Sequence, residues 1–144
     1  MVDLSKITKQ GKALFLAYDQ GIEHGPSDFD DENADPQSII NIGLNGGFTG
    51  IIFQKGIAEK YYMKEFQDKL PLIVKLNGKT NLVENEDPYS PQICSVEEAL
   101  KIGAQAVGYT IYVGSKHEAK MFTEFANIEQ EAHNANIPLI GWMY

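Results

Sequence analysis

Short apolar runs that stop at polar clusters alternate along the chain with longer stretches of helical spacing. The first run, Ala13-Leu14-Phe15-Leu16-Ala17-Tyr18, reads as a buried strand. It empties into Asp19-Gln20-Gly21-Ile22-Glu23-His24-Gly25-Pro26, a polar loop with a Gly-Pro turn. Side chains of a strand alternate between faces, so Ala13, Phe15, Ala17 and Asp19 share one side while Leu14, Leu16 and Tyr18 share the other. Before it, Leu4 and Ile7 with lysine pairs over residues 3–12 have helical spacing and predict a short helix or cap that plugs one end of the fold.

The same alternation continues downstream. Residues 27–35 form an acidic, turn-rich loop, and Asp35-Pro36 supplies an N-cap with proline at the first helical position. Ile39, Ile40 and Leu44 form the apolar stripe of that helix, which Asn45-Gly46-Gly47 ends. Residues 48–53 are a second strand, stopped by Gln54-Lys55-Gly56. Residues 57–68 predict a helix with Tyr61, Tyr62, Met63 and Phe66 on its buried face, a stripe that reads as core. A third strand, residues 70–76, ends at Asn77-Gly78. Its Ile73, Lys75 and Asn77 share a face. A long polar connection over residues 80–94 is longer than the usual strand-to-helix link. Ser95 and Glu98 form a capping box for a helix to Gly103, and residues 106–114 are a fourth strand. Ser115 is the expected cap of a helix reaching about Asn134, with Met121, Phe122, Phe125 and Ile128 on one side. Residues 137–144 are a fifth strand.

Strand and helix in strict alternation predict an α/β fold with a parallel sheet built from right-handed crossovers. Two architectures suit: a (β/α)8 barrel, of ~250 residues when whole, or an open doubly wound sheet. The loop after the first strand lacks the G-x-G-x-x-G spacing and has a proline where a dinucleotide-binding helix would begin, so the sheet option and a nicotinamide or flavin cofactor have little support. No phosphate-binding P-loop motif occurs.

Charge and cysteine content narrow the partners. A net charge of -8 opposes general nucleic-acid binding and attachment to anionic membranes, so an anionic substrate must be held by local donors. No apolar run approaches the roughly 20 residues that span a bilayer, and the start of the chain has no export-signal pattern. The single cysteine, Cys94, excludes an internal disulfide and fits a reducing, cytoplasmic setting. His24, His117 and His133 show no metal-ligand spacing, so no metal is expected.

Chemistry in parallel α/β folds collects past the carboxyl ends of strands, which singles out Asp19 and Lys75. Asp19 is either a turn cap or a functional acid. A lysine inside an apolar strand needs an anion. Lys75 therefore either pairs with an acid such as Asp19 or contacts substrate, and the sequence leaves both open.

Ala17-Tyr18-Asp19-Gln20-Gly21-Ile22-Glu23-His24-Gly25-Pro26 resembles the first-strand motif of the archaeal-type class I fructose-bisphosphate aldolases. The resemblance continues through Gly47-Phe48-Thr49-Gly50, Lys75-Leu76-Asn77-Gly78-Lys79-Thr80, Asp87-Pro88-Tyr89-Ser90-Pro91-Gln92 and Gly141-Trp142-Met143-Tyr144. It implies a (β/α)8 barrel of which residues 1–144 are the N-terminal part of a single domain, about five of the eight strands. It implies metal-independent cleavage of fructose 1,6-bisphosphate to dihydroxyacetone phosphate and glyceraldehyde 3-phosphate, with no cofactor. The complete protein would be a homo-oligomer acting on a phosphorylated sugar. By match, Asp19 is the first-strand acid, Tyr144 the tyrosine acid/base, Trp142 the fifth-strand tryptophan and His24 a substrate contact; Gln20 and Lys75 join the substrate-binding set. The Schiff-base lysine that the resemblance implies belongs to the sixth strand, so neither Lys75 nor Lys79 takes that role. A relative acting on another C–C bond, or a non-catalytic half-barrel that binds a partner, are the alternatives.

Overall fold

The computed structural model describes residues 2–82 and 87–144; residues 83–86 of the predicted long connection lie outside the described residues. Five strands pair in parallel in sequential order: β1 (Phe15–Tyr18), β2 (Gly50–Gln54), β3 (Leu72–Lys75), β4 (Ala106–Ile111) and β5 (Leu139–Met143). Helices fill the crossovers: α1 (Gln20–Glu23), α2 (Pro36–Asn45), α3 (Lys55–Tyr61), α4 (Val96–Ile102) and α5 (Glu118–Asn134). The α/β class and the consecutive strand order of a (β/α)8 barrel are as expected; each strand is shorter than predicted, and β2 runs one residue past its predicted end, to Gln54.

Alternation along the strands makes two cores. Ile51, Phe53, Leu72, Val74, Val107 and Tyr109 face outward and are sealed by helix residues such as Ile40, Met121 and Ile128. Phe15, Ile52, Ile73, Ala106, Ile140 and Trp142 face inward and pack as a second, smaller cluster. Strands covered on both sides can carry apolar residues at every position, and β2, β3 and β4 are buried throughout.

Local chemistry sets the helix starts. Asp35 caps α2, its side chain accepting from the Gln37 amide at 3.0 Å. Ser95 and Glu98 form the reciprocal capping box of α4, and Gly103 closes it in the left-handed conformation.

Three predicted helices change. Residues 3–12 hold no helix: a turn closes from the Ile7 amide to the Leu4 carbonyl, and Lys9 and Lys12 pair across a hairpin whose corner residues, Gln10 and Gly11, have φ of 54° and 72°. Positive φ at both corner positions suits a tight hairpin and stops a helix. The plug survives without the helix, because Ile7 is buried against Ile52, Ile73 and Ala106. The helix predicted over 57–68 starts at Lys55 and breaks at Tyr62 and Met63, which are extended, before a 3-10 turn at Lys64–Phe66. There the Tyr62 hydroxyl reaches the Leu70 carbonyl at 2.7 Å and its ring meets Phe66 edge-on, so tertiary contacts override helical periodicity. Finally, α5 begins at Glu118 because the Ser115 hydroxyl donates to the Pro88 carbonyl and accepts from the His117 amide instead of capping the helix.

In the complete protein, Ser95→Ala is expected to cost about 1 kcal/mol through loss of the cap, a fall of roughly 3 °C in Tm. Thermal denaturation followed by circular dichroism measures it, and an unchanged midpoint would mean that the capping box contributes nothing.

Candidate active site

The site is built from inward-facing residues just past the last inner apolar layer. Asp19 follows β1, Gln54 ends β2, Lys75 ends β3, and Trp142 and Tyr144 lie on and after β5. Gln54 is the register partner of Lys75, and Lys75 that of Gly108.

Lys75 is 2% exposed. Its Nζ donates to Asp19 Oδ2 at 2.8 Å and lies 2.8 Å from Glu23 Oε1, off the hydrogen-bond line, as a contact between charges. The Trp142 ring covers it, with the centroid 5.6 Å from Nζ. That position requires glycine at 108, since a Cβ there would stand 2.0 Å from Trp142 Cζ3. Both outcomes left open for Lys75 thus have a structural counterpart: it is paired with Asp19, and it borders a cleft.

That cleft, of ≈ 470 Å3, is lined by Asp19, His24, Lys75 and Tyr144 among the candidates from sequence. His24 sits at the rim, with Nδ1 2.7 Å from Asp28 Oδ2. Gln20 is not on the cleft; its carbonyl closes the α1 turn by accepting from the His24 and Gly25 amides. Trp142 lies behind Lys75 and does not line the opening. Asp19 occupies the N-cap position of α1, yet its side chain makes no capping hydrogen bond.

Sequence reasoning left out three residues. Glu23, buried, reaches the site because α1 sets it one helical turn after Asp19, the spacing that places two side chains on one side. Tyr112 continues the inward parity of Gly108 and Thr110; its hydroxyl donates to Glu23 Oε2 at 2.9 Å and its ring stacks on Tyr144 at 6.0 Å and 29°. Burial, and next the Glu23 carboxylate, push the Tyr112 phenol well above its usual range. Asn77 is fully buried and joins strand ends: its amide nitrogen donates to the Ser90 and Thr110 carbonyls, and its oxygen accepts from the Thr110 amide. Spacing and alternation were the signals for all three. Cys94, by contrast, is buried, and burial pushes its thiol up to about 11, which keeps it from acting as a nucleophile at neutral pH.

Residues 13–144 match the DeoC/LacD family of aldolases. The chain belongs to that family. It is 53% identical over 138 residues to a class 1 fructose-bisphosphate aldolase of Thermoproteus tenax, covering 94% of this chain and 51% of that protein. A class 1 fructose-bisphosphate aldolase of Halobacterium salinarum is 40% identical over 142 residues, covering 97% and 53%. A solved archaeal fructose-1,6-bisphosphate aldolase, with its catalytic lysine covalently bound to the carbinolamine intermediate of the substrate, superposes with a TM-score of 0.89 at 51% identity, covering 96% of this chain and 54% of that one. The chain therefore spans about half the length of the aldolases it matches.

Within this family member, the Gly108–Trp142–Lys75 stack is directly testable. Gly108→Ala should force the indole off Lys75, moving the emission of Trp142, the one tryptophan of residues 1–144, to longer wavelength. It should also lower stability by about 1–3 kcal/mol, as overpacking does. Wild-type emission and Tm in the variant would show that the ring does not lie over Gly108.

Proposed function

We propose that residues 1–144 are the N-terminal part of a single (β/α)8 domain and carry the first-strand acid and the tyrosine of a class I, Schiff-base fructose-bisphosphate aldolase. The observation that carries this reading is the convergence of Asp19, Lys75 and Tyr144 on one cleft past the carboxyl ends of parallel strands, where barrel enzymes place their chemistry. The high identity to fructose-bisphosphate aldolases supports the substrate, a phosphorylated ketose, and the cytoplasm as its setting. Among the described residues, no helix is long and apolar enough to cross a membrane.

The chemistry assigns distinct tasks. Cleaving the C3–C4 bond of the ketose beside a protonated imine sends the bonding electrons toward the imine and requires the C4 hydroxyl to give up its proton. Tyr144, which lines the cleft, takes that proton as its phenolate and becomes the neutral phenol. Asp19 orients the reacting groups through the oxygen that Lys75 leaves unused. Lys75 itself is an ammonium between two carboxylates, with no lone pair to attack a carbonyl, and serves as a fixed positive charge beside the substrate. The imine-forming amine comes from a lysine outside residues 1–144.

In the complete protein, Tyr144→Phe should lower kcat by ~10²–10⁴-fold, with KM changing far less. Asp19→Asn should lower kcat by on the order of 10²-fold with little change in Tm. Steady-state cleavage of fructose 1,6-bisphosphate and thermal melts decide it. An Asp19→Asn protein of normal activity that melts several degrees lower would make Asp19 a structural residue.

A further inference from the structure

Among the described residues, Glu23 is the one buried acid, at 6% exposure. Its Oε1 faces Lys75 Nζ at 2.8 Å, and its Oε2 accepts from the Tyr112 hydroxyl at 2.9 Å. We propose that Glu23 is a positioning residue of the cleft: it is the standing counter-ion of Lys75 and the anchor of Tyr112, and by holding both it leaves Asp19 Oδ1 free for the substrate. This inference rests on the aldolase reading above.

One ammonium between two carboxylates leaves a surplus negative charge, and the surroundings decide where it resides. Glu23 Oε2 accepts from Tyr112, its Oε1 meets Lys75 as a contact between charges without a hydrogen bond, and its side chain is only 7% exposed. Asp19 commits only Oδ2; its side chain is 20% exposed, and among the described residues no donor bonds its Oδ1. Unmatched charge costs less where water or a substrate hydroxyl reaches it, so the surplus belongs on Asp19. The remaining charged groups at the cleft do not alter this division. Lys79 lies with Nζ 5.2 Å from the Tyr112 ring centroid, and His24 is turned to Asp28 at the rim.

The second oxygen of Glu23 extends the effect across the site. Fixing the Tyr112 hydroxyl fixes its ring plane, and Tyr144 stacks on that ring. With Gln at position 23, Lys75 closes on Asp19 as a simple pair and the Tyr112 ring loses its charged anchor. Both reacting groups are then misplaced, although neither has been altered.

The test uses the complete protein with Glu23→Gln, Asp19→Asn, the double variant, and Glu23→Asp as the charge-keeping control. Glu23→Gln should lower kcat by on the order of 10-fold with KM within about 3-fold of wild type. Glu23→Asp should recover part of the loss. The double variant should be slower than Asp19→Asn alone by less than the full Glu23→Gln factor, because only the part of the effect that passes through Tyr112 to Tyr144 remains once Asp19 is changed. A wild-type kcat in Glu23→Gln, or losses that multiply in the double variant, would overturn the inference. If the wild-type protein does not cleave fructose 1,6-bisphosphate, the aldolase reading falls by itself and the nitrogen–proton NMR signal of the Lys75 ammonium still reports on Glu23. The slowly exchanging signal should persist in Asp19→Asn, where Glu23 still holds the charge, and persist at a shifted position in Glu23→Gln, where Lys75 closes on Asp19; its loss in Asp19→Asn would make Asp19 the standing counter-ion and overturn the inference.

Discussion

A buried ammonium governs this structure. Lys75 sits at the inner end of β3, in a strand whose other positions are apolar, and an unpaired charge there would cost several kcal/mol. Its neighbours answer that requirement. The end of β1 presents Asp19, the single turn of α1 returns Glu23 to the same point, and glycine at 108 lets Trp142 lie over the charge. The paired charges, backed by Trp142, then line one side of the cleft where Tyr112 and Tyr144 stack. The feature that makes the strand end tolerable is also the feature that makes it a site.

Much of this was legible in the chain because it follows from local rules. The Asp35-Pro36 start of α2 and the Ser95–Glu98 box of α4 lie where capping chemistry puts them, since the hydrogen bonds concerned span only two or three residues. The inward face of each strand follows from alternation, which also brings Lys75 and Asp19 together. The misses have the opposite character. The four residues of α1 are too few to show a period, so Glu23 read as a loop residue although its offset from Asp19 is that of a helical turn. The break after Tyr61 depends on a bond from Tyr62 to Leu70, eight residues away, which no local pattern contains. Residues 3–12 have the spacing of a helix, but the Gln10-Gly11 corner turns the chain back on itself.

The sheet is unevenly covered, and this bears on how the site works. The three central strands are buried throughout, whereas β1 and β5 are partly exposed, with Met143 on β5 at 51% and Leu14, just before β1, at 56%. Each outer strand is paired on one side only among the described residues, which leaves backbone donors and acceptors available for further strands. Five strands bring an acid, an ammonium and a phenol to one cleft.

The central claim is that Lys75 is a fixed charge and not the nucleophile, and covalent trapping tests it most directly. The complete protein is incubated with dihydroxyacetone phosphate, reduced with borohydride, digested, and mapped by mass spectrometry. The account predicts one stable adduct, on a lysine outside residues 1–144, with Lys75 and Lys79 unmodified. An adduct on Lys75 would contradict it, because an amine that forms an imine cannot also be the ammonium that Asp19 and Glu23 hold.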